Sequence, residues 1–226
     1  SLQVHILDIT LADQGFLAVK KGVGLLAHRA EQYATKVISI ADGMASFGNR
    51  VNFPIRPMVG TIGTAPAGDA VPTSHPGPHG GNMDNKELVA GSTVFLPVFV
   101  DGGLFSAGDG HGTQGDGEIC TAAVEMNMKG SFKLTSRDDM MLEWPMAETE
   151  DNIITMAFDP DLDNCVVIAV RQMVNLLHIY CNISKADAYT LLSYVGNLRV
   201  TQVVNGNKGI HLMVNKEFFG NKSFKK

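Results

Sequence analysis

Two short segments concentrate the residue types that can do chemistry. Pro78-His-Gly-Gly-Asn-Met-Asp84 sets an imidazole, an amide and a carboxylate within a few residues, with two glycines that permit tight turning. Gly108-Asp-Gly-His-Gly-Thr-Gln-Gly-Asp-Gly-Glu118 is denser: from Asp109 to Glu118 it holds two Asp, one His, one Gln and one Glu among four glycines. Such a segment adds little to a core, and its glycines let the chain fold back so that polar side chains converge. Imidazole and carboxylate together bind a divalent metal, or act as a general base with an orienting partner. Without convergence the segment is a flexible polar hairpin and His111 a turn histidine in solvent. A site therefore requires the two segments to meet in space.

The elements that must position them are mainly strands. From Gln3 to about Phe158, short β-favouring runs are separated by Gly, Pro, Asn and Asp clusters, the pattern of a β-sandwich or barrel. The predicted strands are Val4 to Ile9, Val37 to Ile40, Thr93 to Val100, Ile119 to Met126, Met128 to Leu134 and Ile153 to Phe158. Met128, Gly130, Phe132 and Leu134 alternate with Lys129, Ser131, Lys133 and Thr135, as a strand with one wet face must read. Both faces of Thr93 to Val100 are apolar, which predicts a strand between two packed layers, with an edge or bulge at Pro97. Thr64 to Gly91 reads as a long irregular segment.

A helical pair follows. Asn164 to Cys181 has a polar stripe at Arg171, Gln172, Asn175 and His178 on an otherwise apolar segment. Ser184-Lys-Ala-Asp187 resembles a capping box for a second helix that Gly196 stops. Leu198 to Val204 and Ile210 to Val214 flank Asn205-Gly206 as a closing hairpin. The tail from Phe218 reads as frayed, with Phe224 offering little to pack.

Composition narrows the function classes. Hydrophobic residues make up 45% of the 226, enough for one substantial core, and the formal charge of −5 gives no basic field for a nucleic-acid backbone. No apolar run approaches the roughly 20 residues needed to span a bilayer, and no signal peptide is read at the start. Cys120, Cys165 and Cys181 form no CxxC pair and leave an odd thiol, which fits a reducing cytoplasm. The expectation is a cytoplasmic protein with neither a nucleic-acid nor a membrane partner.

The two polar segments, together with Gly91-Ser-Thr-Val-Phe-Leu-Pro97, resemble the signature of the acetamidase/formamidase family. Ile55-Arg56-Pro57-Met58-Val-Gly60-Thr-Ile-Gly63, Val4 to Asp8 and Leu198 to Val204 extend the resemblance over nearly the whole chain. It implies a mainly β, sandwich-like fold with a helical pair near the C-terminus, and hydrolysis of a small aliphatic amide to carboxylate and ammonia. It also implies a divalent metal, zinc being the expected ion. The family carries further β-strands before the position matching Val4. The expectation is therefore a single domain over 1–226 without that segment, whose uncovered edges favour a homo-oligomer.

On that reading the metal ligands come from His79, Asp84, Asp109 and His111, while Asp116 and Glu118 are the proton-transfer groups and His111 serves in either role. Asn82 and Gln114 are expected to bind substrate. Two alternatives stand beside it. One is a covalent mechanism using Cys120 or Thr113. The other is an inactive binding or assembly module that retains the family loops.

Overall fold

The computed structural model describes residues 1–19, 21–29, 34–48, 50–220 and 222–225. The strands in the first half are β1 (Leu2–Val19), β2 (Ala34–Ala41), β3 (Met44–Phe47), β4 (Val51–Pro54), β5 (Met58–Gly63), β6 (Gly80–Asn82), β7 (Thr93–Leu96) and β8 (Ser106–His111). Then come β9 (Glu125–Ser136), β10 (Met146–Glu148), β11 (Asn152–Asp159), the helices α1 (Leu162–Cys181) and α2 (Lys185–Val195), and β12 (Asn197–Gln202) with β13 (Lys208–Asn215). The named strands join one antiparallel network in the order β12-β13-β11-β10-β7-β1-β9-β8-β5-β6, and β2, β3 and β4 branch from β1 as a meander. The mainly β class and the C-terminal helical pair follow the sequence expectation.

Alternation explains why the helices lie where they do. In β11, Ile153 and Ala157 face a core shared with Cys165, Ala169, Met173 and Leu177 of α1, whereas Ile154, Met156 and Phe158 face a second core with Val4, Ile6, Val59, Ile62, Val94 and Leu96. Each fully buried aliphatic of this kind contributes about 1.5–3 kcal/mol. β7 is likewise buried on both faces, Phe95 in the first core and Val94 and Leu96 in the second. It ends at Leu96, before Pro97, whose carbonyl accepts from the Thr64 hydroxyl at 2.7 Å.

Asp161 caps α1 by accepting from Asp163 N, and Ser184 caps α2 by accepting from Asp187 N. By length and composition alone α1 is apolar enough to cross a bilayer, although Arg171 and Gln172 interrupt its apolar run. It packs on β11 and β13 through its buried stripe.

Three other expectations give way. Ile119 to Val124 is irregular, because positive φ at Glu118 and Thr121 turns the chain, and β9 begins only at Glu125. Four residues of the glycine-rich second segment, Gly108 to His111, belong to strand β8. Its Gly110 lies so close to β9 that a Cβ there would come 2.3 Å from Met128 Cβ. The tail is anchored at Phe224: its ring is 2% exposed and packs on Phe95 and Tyr180. Its amide donates to Glu148 at 2.8 Å, and its carbonyl accepts from Arg137 at 2.6 Å. Asn221 and Lys226 lie outside the described residues.

Candidate active site

β8 and β9 supply the centre of the site. His111 closes β8 and is the cross-strand partner of Glu125 at the start of β9, which brings the two side chains together. On the other side of β8, Val59 pairs with Gly110 and Thr61 with Gly108, so Gly60 faces Asp109. Gly60 leaves the space that the acids fill. A Cβ there would fall 2.6 Å from Asp109 Oδ2 and 2.7 Å from Asp84 Oδ1.

The His111 ring is 1% exposed and tied at both nitrogens. Gln114 Nε2 donates to the Asp84 carbonyl at 2.6 Å, which leaves Gln114 Oε1 facing His111 Nδ1 at 3.0 Å. An acceptor there fixes the proton on Nδ1. Nε2 then faces Asp109 Oδ1 at 3.3 Å and Glu125 Oε2 at 3.4 Å. Three lone-pair atoms converge with no donor between them, and only a proton or a cation resolves that. Burial lowers the His111 pKa, but the hydrogen bonds and charges of Asp109 and Glu125 outweigh it and push the ring up to about 11. Burial also opposes ionisation of Asp109, yet the hydrogen bond and charge of His111 hold its carboxyl below the usual range.

A second pair lies behind the ring. Asp84 is 1% exposed and Glu118 7%. Burial and the neighbouring Asp84 push Glu118 up to about 9, and burial raises Asp84 as well. Asp84 Oδ1 and Glu118 Oε2 are buried oxygens without a donor among the described residues, an arrangement that one shared proton satisfies. Asp84, Asp109 and Glu118 all sit at positive φ, 47°, 62° and 42°. Such backbone costs on the order of 1–3 kcal/mol per residue and is retained where it aims a side chain.

Two groups in this cluster have metal-ligand spacing, Asp84–His111–Glu118 and Asp109–His111–Glu125, each with donor atoms within 4.8 Å of one another. The residues fit a divalent ion: one imidazole whose Nε2 faces carboxylates is a hard-to-borderline donor set. Donors about 2.0–2.2 Å from a shared tetrahedral ion lie roughly 3.3–3.6 Å apart, close to the separations of His111 Nε2 from Asp109 and Glu125.

The two sequence segments therefore meet, with Gln114 bridging His111 to Asp84. Asp109, Glu118 and Gln114 join the cluster too. His79 does not enter either metal-ligand group; it is buried against Gly77 and Gly81 of its own turn, and burial lowers its pKa. Asp116 is held outside by ion pairs to Lys86 at 3.0 Å and Arg199 at 3.4 Å. Asn82 is second to the site: its side-chain oxygen accepts from Thr61 at 2.5 Å. Glu125, Gly60 and Asn205 were not singled out from the sequence, although Glu125 stands at the head of the alternating strand that does read clearly.

Access comes from two sides. A cavity of about 440 Å³ lined by Phe16, Met128, Phe132, Asp109 and Glu125 opens on one, and another of about 480 Å³ lined by Leu17, Phe53, Gln114 and Glu118 on the other. A larger apolar cavity of about 660 Å³ between α1, α2 and β12 holds none of these groups.

Residues 67–153 match the Acetamidase/Formamidase family model. The chain is 47% identical over 68 residues to the acetamidase of Mycolicibacterium smegmatis and 49% over 61 residues to the formamidase of Methylophilus methylotrophus. These matches cover 30% and 26% of the chain, and only 17% and 15% of those relatives. The structural likeness is wider. The acetamidase of Bacillus halodurans superposes with a TM-score of 0.93 at 35% identity, over 97% of this chain and 74% of that one. A protein of Thermoanaerobacter tengcongensis described as a predicted acetamidase/formamidase gives 0.93 and 35% over 98% and 75%. With a third of its residues shared over three quarters of a solved acetamidase, the chain belongs to the acetamidase/formamidase family.

Proposed function

We propose that the chain hydrolyses the carbon–nitrogen bond of a small aliphatic amide, of the formamide or acetamide kind, to carboxylate and ammonia. The observation that carries this is the juxtaposition of an ion-ready triplet, Asp109–His111–Glu125, with a proton-bearing acid, Glu118, on the same imidazole. Asp109, His111 through Nε2, and Glu125 would hold a divalent ion, zinc being the first to test. When bound, such an ion polarises an amide carbonyl and brings the pKa of water toward about 7.

The chain's own groups account for the rest. Gln114 keeps one His111 proton on Nδ1, so that Nε2 is the nitrogen whose electron pair is freed for an ion that displaces its proton. Water adds to the carbonyl carbon, and the carbon–nitrogen bond breaks only as the departing nitrogen gains a proton. Glu118 holds that proton at neutral pH, and the proton given up by the adding water replaces it on the Glu118–Asp84 pair. Phe16, Met128 and Phe132 present an apolar wall to the acyl group next to Asp109 and Glu125.

A second assignment of the ion, to Asp84–His111–Glu118, draws support from the complete burial of that group and its two donorless oxygens. It predicts that Glu118→Gln empties the site, whereas the preferred assignment predicts that Glu125→Gln does. The intact acid pair favours hydrolysis over an inactive binding module. We also infer self-association through the β1–β4 meander, which exposes Phe16, Val37 and Val51. Scattering-coupled gel filtration at several concentrations tests it, and a monomer throughout would remove it.

Ammonia release from formamide and acetamide, measured before and after chelation and zinc replacement, tests the activity. Turnover that His111→Ala abolishes is expected. Full turnover in His111→Ala would remove the ring from the mechanism.

A further inference from the structure

We propose that Asn205, in the turn between β12 and β13, is a positioning residue that sets the His111 ring through a relay across three separate segments. This rests on the metal-assisted reading of the site. Asn205 is 121 residues from Asp84 in sequence, yet its Nδ2 donates to Asp84 Oδ2 at 2.5 Å and to the Asn82 carbonyl at 3.1 Å. One amide thus grips both ends of the Asn82–Asp84 segment. The Asp84 carbonyl in turn accepts from Gln114, and Gln114 accepts from His111 Nδ1. The far end of the relay is the nitrogen opposite the one that faces Asp109 and Glu125. Asn205 belongs to neither metal-ligand group and lines neither access cavity; its one contact with the cluster is Asp84, from which the relay leads to the ring.

The turn itself is rigidly held, which is what a positioning device requires. Gln202, fully buried, accepts through Oε1 from the amides of Val204 and Asn205, each at 2.9 Å, and donates to the Asn207 carbonyl at 2.7 Å. Backbone bonds Gly117 N to Thr201 O and Val203 N to Gly117 O, both 3.1 Å, fasten it to the second site segment. Asn207 Nδ2 fastens it just ahead of the first, at the Pro76 carbonyl, 2.8 Å away. At Gly206 the turn lies flush on His75: a Cβ there would come 1.8 Å from the ring nitrogen Nε2.

The test compares zinc affinity, by chelator competition, and steady-state kinetics for the wild-type chain, Asn205→Ala, Asn205→Asp and Asn207→Ala. Asn205→Asp keeps the size and shape of the side chain but replaces the amide donor with a carboxylate that repels Asp84. Outer partners of metal-bound histidines change affinity by roughly 10-fold to 100-fold when lost, so both Asn205 variants are expected to weaken zinc by that factor. Their kcat at saturating zinc should also fall, with KM little changed. Asn207→Ala cuts an anchor of the same turn without touching Asp84 and is expected to bind zinc as the wild type does. Wild-type affinity in Asn205→Asp overturns the proposal even if Asn205→Ala fails to fold. An equal loss in Asn207→Ala overturns it as well, because the effect is then general loosening of the turn. Zinc binding that His111→Ala leaves unchanged overturns the site reading and this proposal together. His111-dependent zinc that ignores Asn205 overturns this proposal alone.

Discussion

His111 on β8 and Glu125 on β9 face each other in antiparallel register, and imidazole Nε2 and carboxylate Oε2 come within 3.4 Å. The pairing makes the candidate metal site a property of the sheet: two of its donors are set side by side by the cross-strand register.

Glu125→Gln and Glu118→Gln should separate ion holding from proton transfer. Glu125→Gln is expected to lose zinc affinity by at least 10-fold to 100-fold. Glu118→Gln is expected to keep its zinc and lose roughly 100-fold to 10,000-fold in kcat. Metal content by mass spectrometry, set beside ammonia release, checks both.

Gly60→Ala is expected to damage the site while leaving the fold. The added methyl would lie 2.6 Å from Asp109 Oδ2 and 2.7 Å from Asp84 Oδ1, so both carboxylates must move. Overpacking of this kind costs about 1–3 kcal/mol. Activity should drop at least about 10-fold, since misplacing catalytic groups by an ångström costs rates of order 100-fold. Thermal melting and ammonia release on the same sample measure the two effects.

Stability should fall with acid through His211. Its ring is fully buried on β13, with Nδ1 on the Thr201 hydroxyl at 2.8 Å, and burial lowers its pKa to about 4 from an ordinary 6.5. Between those values the unfolded chain binds a proton that the folded chain refuses, so stability rises with pH across the window and is lost as pH falls from 6.5 to 4. The loss from this group reaches roughly 3 kcal/mol. His211→Gln, which can still meet Thr201, should flatten the midpoint-versus-pH curve there. An unchanged slope would remove His211 as the cause.

Phe224→Ala should destabilise the chain by about 3–5 kcal/mol, as large aromatic truncations in cores do. The residue lies among Phe95, Tyr180 and the buried Glu148 and Arg137 that hold its backbone. Urea unfolding measures it, and a change under 1 kcal/mol would mean that the tail contributes little.

Local pattern revealed the elements that obey one period. The alternation over Met128 to Leu134, the two-faced apolar run at Thr93, the apolar first helix and the second helix capped at Ser184 all sit where sequence placed them. β8 was hidden because Gly108 and Gly110 carry no side chain to show a period, though it is their smallness that lets β9 approach. Asp84, Asp109, His111 and Glu118 were legible as a cluster of types. Their partners Glu125 and Asn205 were not, because cross-strand register and a contact 121 residues long are set by tertiary packing. His79 shares its segment with Asp84 but is turned against Gly77 and Gly81, which composition does not reveal.

Anomalous diffraction at the zinc edge from crystals of the zinc-loaded chain tests the central claim most directly. A single strong peak about 2.0–2.2 Å from His111 Nε2 and the nearest oxygens of Asp109 and Glu125 is the result predicted. A peak bounded by Asp84 and Glu118, a peak on His79, or no peak at His111 in a chain that still releases ammonia would contradict it.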